Sequence, residues 1–320
     1  QCRRVLFDGK CATGVEINTP SGVQQIIASR EVILSAGAYH SPHILMHSGI
    51  GPAQHLRDSG IAVLHDNASV GSNLQDHLIL TMSWALKPGT YSFNDELGGF
   101  RLLWNVLRYV ATKSGPMTTP AAQTGAFVKS HPALDRPDIQ FHCLPVCGDV
   151  FAAAEGRKGS LSPFPGLTLA PCILRPDSRG TVRLAGQDPL AVPDIVHNYL
   201  GDEGDVRLSI RAMEMARELA AAPSLARIIE REAYPGPDAA TADTMLAYLR
   251  KAASTGYHPV GTCRMGIDDA AVLDPQLRVK GVAGLRVADA SIMPRLISGN
   301  TNAAVIMIGE KAADMILNTA

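Results

Sequence analysis

Hydrophobic and polar positions follow a two-residue rhythm at the start of the chain. Arg4-Val5-Leu6-Phe7 leads into Asp8-Gly9, a hairpin-type turn, and Gly14-Val15-Glu16-Ile17-Asn18 then alternates apolar and polar residues, so two strands are predicted. A third strand, over 30–35, runs into Ala36-Gly37-Ala38, small residues that let a backbone or a ligand come close. From Ser41 the pattern predicts a helix, with Pro42 in its first turn and a stop near Ser48-Gly49. The middle of the chain reads differently. A helix over 106–113 is stopped by Ser114-Gly115-Pro116, and strands are predicted over 123–129 and 138–144. Gly, Ser and Pro make 156–166 a surface loop or flap, after which 167–174 and 180–184 read as further strands of one sheet. The clearest helix covers 205–222, with Val206, Ile210, Met213 and Ala216 on one face and Pro223 just past its end. Thr241 caps another over 241–253. The last stretch reads like the opening one, with a short strand over 285–290 that ends in small residues. A helix over 302–317 then turns Ala304, Met307, Ile308 and Ala312 to a core.

No internal repeat or low-complexity segment occurs, and the pattern implies an interrupted arrangement. One lobe takes residues 1–80 and 254–320, and a second takes 81–253. The expected class is mixed α/β, with the second lobe built on an antiparallel sheet and flanking helices. Composition agrees: 46% hydrophobic and 18% charged residues over 320 positions is a globular balance, and the length suits two lobes. With 29 Lys+Arg against 30 Asp+Glu the formal net charge is −1, which disfavours nucleic acid as a main partner. No apolar run approaches the roughly 18 residues of a membrane span. Six cysteines are too sparse for a disulfide scaffold, so reduced thiols are expected. The chain opens Gln1-Cys2-Arg3-Arg4, without Met or a signal-type apolar stretch, and is expected to start inside a longer protein.

Two segments could carry chemistry. His258 stands in Gly256-Tyr257-His258-Pro259-Val260-Gly261-Thr262, where Pro259 steers His258 away from a helical conformation. An imidazole presented from a rigid loop suits a general base, and a structural role fits the same residues. Ser298-Gly299-Asn300-Thr301-Asn302 precedes the apolar terminal helix. It reads as a plain N-cap or as an anion or ring-edge site at a helix N-terminus. His142-Cys143 with Cys147, and His258 with Cys263, are candidate ligand pairs, and neither has the paired spacing of a zinc site; no metal is expected. The chain also lacks a G-x-S-x-G nucleophile elbow, and Gly49-Ile50-Gly51 lacks the third glycine of a dinucleotide fingerprint.

Several segments together resemble one family. Gly37-Ala38-Tyr39-His40-Ser41-Pro42-His43-Ile44-Leu45-Met46-His47-Ser48-Gly49-Ile50-Gly51 is similar to a signature of the glucose–methanol–choline (GMC) oxidoreductases, and Val70-Gly71-Ser72-Asn73-Leu74-Gln75-Asp76-His77 to the segment after it. The likeness resumes at Tyr257-His258-Pro259-Val260-Gly261-Thr262-Cys263-Arg264-Met265-Gly266. It continues through Val287-Ala288-Asp289-Ala290-Ser291-Ile292-Met293-Pro294 and Gly299-Asn300-Thr301-Asn302-Ala303 to Gly309-Glu310-Lys311. About 83–249 matches only loosely, as a substrate lobe would. The resemblance implies a partial FAD-binding, Rossmann-like lobe and oxidation of an alcohol to an aldehyde, with His258 as base, Asn300 as its polar partner and hydride passing to flavin N5. It implies Asp289 and Ala290 near the flavin diphosphate and ribityl chain, Asn302 and Ala303 beside the isoalloxazine, and Ala36-Gly37 near the adenosine. Asn at 300 resembles the choline- and alcohol-dehydrogenase branch. Aromatic residues at only 5% favour an uncharged primary alcohol over choline, whose ammonium needs an aromatic cage. The electron acceptor is expected to be a quinone, a cytochrome or oxygen, and the location cytoplasmic or peripheral to a membrane. The family's opening βαβ unit with its Gly-rich turn has no counterpart in this sequence, so the chain resembles a C-terminal portion. Two rivals remain open: a hydroxynitrile lyase-like enzyme on the same fold, and a truncated chain inactive without its N-terminal portion.

Overall fold

The computed structural model describes residues 1–120, 122–152 and 158–318, and the chain in it divides into two units. The first is assembled from residues 1–76, 176–201 and the stretch from Tyr257 onward. Its opening sheet is antiparallel: Cys2–Asp8 turns at Gly9 into Cys11–Thr19, which pairs in turn with Gly22–Ile27. The last of these strands is not expected from the sequence. Its six residues are all exposed, so no buried-face alternation marks them. Val32–Leu34 lies parallel to Leu285–Val287, joining segments from opposite ends of the chain. Around this pair the core closes with Leu45, Met46, Ile50, Val70, Leu74, Val182, Val260 and Val287, all fully buried.

The helix of this region runs Gly37–His47, one turn longer than its expected start at Ser41, and Pro42 sits inside it rather than in its first turn. Two remote groups make that possible. The Asp289 carboxylate accepts from the Gly37 amide (2.9 Å), so the helix is capped from 252 residues away. Pro42 has no N–H for the Ala38 carbonyl four residues back, and the buried Thr262 hydroxyl donates to that carbonyl instead (2.6 Å). Thr181–Arg183 also differs from expectation: it pairs with Asp194–Val196 in a sheet of its own. Residues 176–201, which the sequence placed in the middle lobe, belong to the first unit. Leu74 and Gly180 exchange backbone hydrogen bonds, and the Val182 amide donates to Gly71.

The second unit, 77–175 with 202–256, is built on an antiparallel sheet. Its strand order is Ile229–Tyr234, Met82–Leu86, Gly166–Ile173, Ile139–Leu144, Thr124–Val128, with the short Leu78–Ile79 and Ser254–Thr255 attached at one end. Met82–Leu86 is buried throughout, and the Ser83 and Thr168 hydroxyls satisfy each other across the strands (2.8 Å). Glu203–Ala220 packs on Gly166–Ile173. Its buried face is Asp205, Ser209, Ala212, Met213, Ala216 and Ala220, so Val206 and Ile210 lie on the flank of the expected face. Ala242–Ala252 begins at Thr241, the cap the sequence indicated, and the side chain of Thr244 answers it in a reciprocal cap. Residues 156–157 of the expected loop lie outside the described residues. The described remainder, 158–165, leads into the strand at Gly166.

Candidate active site

In the first unit, the His258 loop is held by the segment just before it in space. Backbone hydrogen bonds pair Gln75 with Val260, and the buried Gln75 side chain donates to the Pro294 carbonyl (3.2 Å) while accepting from the Leu296 amide (3.1 Å). Gly261 has φ +96°, and a Cβ there would lie 2.5 Å from the Asn73 carbonyl oxygen, so only glycine fits this crossing. Tyr257 is a bulky residue at φ +60°, a left-handed conformation that directly precedes the imidazole. The His258 amide donates to Asp76 Oδ1 (2.8 Å), which fixes the loop at the reactive residue itself.

The imidazole meets Asn300: His258 Nε2 and Asn300 Nδ2 are 3.2 Å apart. An amide nitrogen can only donate, so Nε2 carries the lone pair and Nδ1 the proton. Partial burial pushes the His258 pKa below its ordinary 6.5, and the negative Asp76 works in the opposite direction. The balance leaves a neutral imidazole at pH 7 with its basic nitrogen toward the Asn300 amide. His258 and Asn300, which the family resemblance paired, therefore lie together.

Behind them lies a network that sequence reasoning missed. Asp76 Oδ2, fully buried, accepts from the Tyr199 hydroxyl (2.5 Å) and stands 4.0 Å from His197 Nε2. The His197 and Tyr199 rings stack with 4.8 Å between centroids, and His197 Nε2 hydrogen-bonds the Tyr39 hydroxyl (2.8 Å). Burial holds the His197 pKa down and, with Asp76, pushes Tyr39 up to about 12, so both rings stay neutral. In the sequence, Asp76 stands out only as part of a longer motif. His197 and Tyr199 carry one local signal, the left-handed backbone of Asn198 and Leu200 on either side of Tyr199, which only the structure shows.

Of the other expected site residues, Ala36, Gly37 and Ala290 gather around Asp289. Its Oδ2 accepts from the Gly37 amide and the Ser41 hydroxyl (2.5 Å), and its Oδ1 from the Ser291 amide (2.8 Å). Ala36 donates its amide to Ser41 Oγ (3.1 Å), and the Ala290 carbonyl accepts from Gly261 (3.4 Å), which ties this cluster to the His258 loop. Asn302 and Ala303 open the terminal helix, Asn302–Leu317, and are exposed. That helix begins and ends where the sequence pattern places it, but Met307 is 58% exposed and only Ile308 and Ala312 of the expected face are buried. Two features fit a flavin nucleotide. Gly37, at φ +81°, opens a helix where an added Cβ would meet nothing within 4 Å. The terminal helix has no side-chain cap and no acidic residue in its first turn, so its leading N–H groups suit an anion or a ring carbonyl.

Comparison with known proteins identifies the family. Two family models, both described as GMC oxidoreductase, match residues 1–79 and 176–309. The alcohol dehydrogenase (acceptor) of Pseudomonas putida is 43% identical over 321 residues, 98% of this chain and 56% of that protein. The oxygen-dependent choline dehydrogenase of Ectopseudomonas mendocina (strain ymp) is 39% identical, over 98% of this chain and 54% of its own length. Among solved structures, a formate oxidase of Aspergillus oryzae RIB40, described for the modification of its FAD, superposes with a TM-score of 0.91 at 28% identity, covering 98% of this chain and 59% of that one. The chain belongs to the GMC oxidoreductase family. It spans little more than half the length of the curated relatives it matches.

Proposed function

We propose that this chain serves an FAD-dependent oxidation of an uncharged primary alcohol to the aldehyde, with His258 as the base. The observation that carries the reading is the 3.2 Å pairing of a neutral His258 Nε2 with the Asn300 amide. An imidazole with a pKa of about 6.5 facing a hydroxyl near 15.7 is short by about 9 units, or about 12 kcal/mol, of full deprotonation. The proton must therefore leave as the C–H bond breaks, or the alkoxide must be stabilised. When the substrate oxygen enters beside Nε2, the Asn300 N–H directed at His258 passes to that oxygen, where it stabilises developing negative charge and leaves the Nε2 lone pair to face the hydroxyl. His258 Nε2 takes the hydroxyl proton, while Asp76 holds the loop and favours the imidazolium that results. Bound FAD supplies the acceptor for the hydride at its N5.

Ala36, Gly37, Asp289, Ala290, Asn302 and Ala303 would hold that cofactor. Asp289 would do so indirectly, by fixing the Gly37 backbone at the start of its helix, since its oxygens and the Gly37 and Ser291 amides are already engaged with one another. Electrons would pass on to a quinone, a cytochrome or oxygen. Choline is the second reading, favoured by the choline dehydrogenase relative.

The test is an anaerobic visible spectrum of the FAD-loaded protein with a panel of primary alcohols and choline. Bleaching by one of them supports oxidation and ranks the substrates, whereas flavin bands that stay intact with every alcohol favour the lyase. His258→Ala should retain the flavin bands and slow bleaching by about 10²–10⁴-fold, the usual worth of a general base. Unchanged bleaching by that variant would remove His258 from the role.

A further inference from the structure

The helix Gly99–Thr112 in the second unit is built inside out. Of its fourteen residues, all described, Asn105 alone is buried, and its amide donates to the Glu96 carbonyl (3.1 Å) and the Glu96 carboxylate (2.8 Å). The apolar side faces away from the body of the unit. Phe100 (79% exposed), Leu103, Trp104 (61%), Leu107 and Val110 (64%) follow the spacing of one helical face. A helix normally turns that face to a core, so this one is shaped for an apolar phase outside its own unit.

Charge identifies which phase. No acidic residue occurs from Leu97 to Leu134, while Arg101, Arg108, Lys113 and Lys129 do, in a chain whose net charge is −1. At 100° per residue Arg108 and Arg101 fall beside Trp104, on the rim of the apolar face. A second copy packed on this helix would set the same cations against one another with no carboxylate on the helix to answer them. Fourteen residues reach only about 21 Å, short of the roughly 30 Å of a bilayer core, so the helix lies in the interface rather than across it. No helix among the described residues is long and apolar enough to cross. An outward apolar face, a tryptophan and rim cations form the pattern of a helix that settles among lipid headgroups.

We propose that Gly99–Thr112 docks this protein on the surface of an anionic lipid bilayer, Phe100, Leu103, Trp104, Leu107 and Val110 entering the headgroup boundary and Arg101, Arg108 and Lys113 pairing with lipid phosphates. The proposal is independent of the reaction assigned to His258.

The chain has two tryptophans, and Trp84 is buried, so a change in tryptophan emission on binding reports Trp104. The experiment sediments the 320-residue chain with vesicles of phosphatidylcholine, with or without phosphatidylglycerol, and records emission. Binding to the anionic vesicles, a blue shift and quenching by brominated lipid are expected, with binding weakened by salt. Arg101→Gln and Arg108→Gln should each weaken anionic binding roughly fivefold. Leu103→Ser with Leu107→Ser should abolish it; the replaced side chains are exposed, and an unchanged circular dichroism spectrum checks the fold. Three results would overturn the proposal: no binding to anionic vesicles, binding that survives the Leu103/Leu107 variant, or self-association that the variant abolishes in place of lipid binding.

Discussion

His258 sits between opposing influences: burial takes proton affinity away from the imidazole, and Asp76 gives some back. Asp76→Asn separates the two. The Asn Oδ1 can still accept from the His258 amide, and the Tyr199 hydroxyl can turn to accept from the new NH₂, so the loop keeps its anchor while the charge is lost. Imidazole carbon–proton shifts in NMR should titrate below pH 6.5 in the wild type and lower still in Asp76→Asn. A midpoint that stays put or rises would mean that Asp76 acts on His258 through position alone. The two segments stood out in the sequence through local oddities, a glycine-flanked His before Pro and a polar run before an apolar helix, but only the family resemblance singled out Asn300 and paired it with His258. Asp76, His197, Tyr199 and Tyr39 were not legible as a group. They come from three distant segments, and nothing local says that burial will gather them around one carboxylate.

At the level of elements, the helix Gly37–His47 shows why helix bodies are easier to read than helix ends. Its apolar pattern is local, whereas its start depends on Asp289 and its tolerance of Pro42 on Thr262, both more than 200 residues away. The inverted helix Gly99–Thr112 is expected from sequence only over 106–113, because apolar residues nearly encircle its first half and blur the 3.6-residue rhythm. The same first helix carries a pH-labile pair. His43 and His47, one turn apart and buried, bring their Nε2 atoms to 3.2 Å. Burial, with His47 and His40 adding to it, pushes the His43 pKa down to about 4. Above pH 6.5 His43 is neutral folded or unfolded, and stability is at its full value. Between 6.5 and about 4 the unfolded chain takes up the proton first, so stability falls as the pH drops, and below about 4 the loss is complete. The span corresponds to at most about 3 kcal/mol. Urea midpoints measured between neutral and mildly acidic pH should therefore fall more steeply for the wild type than for His43→Gln. Parallel curves would show that the imidazole is protonated in the folded protein.

Across the whole molecule, the sequence showed that one unit draws on both ends of the chain but not that 176–201 returns to it. That segment has no composition shift at either border, and what assigns it is pairing with Leu74 and Gly71. A unit closed from three separate stretches depends on the contacts that join them, and the parallel pairing of Val32–Leu34 with Leu285–Val287 is one such join. Beside it Arg286 Nε bonds the Glu31 carboxylate at 2.7 Å, 255 residues away in sequence, and its Nη1 donates to the Gln276 carbonyl (2.6 Å). Arg286 is buried and Glu31 mostly so, unlike Arg211 and Glu218 on the exposed side of Glu203–Ala220. The two pairs should respond differently to loss of the acid. Glu218→Gln should change stability by no more than about 0.5 kcal/mol, because water solvates the freed guanidinium. Glu31→Gln leaves the Arg286 charge buried without its carboxylate and should cost about 2–3 kcal/mol by urea denaturation. Adding Arg286→Met to Glu31→Gln removes the stranded charge and should recover much of that loss. If the double variant is as unstable as the single one, the pair matters for its hydrogen bonds to the backbone rather than for its charge, and the closure of the unit rests on the strand pairing alone.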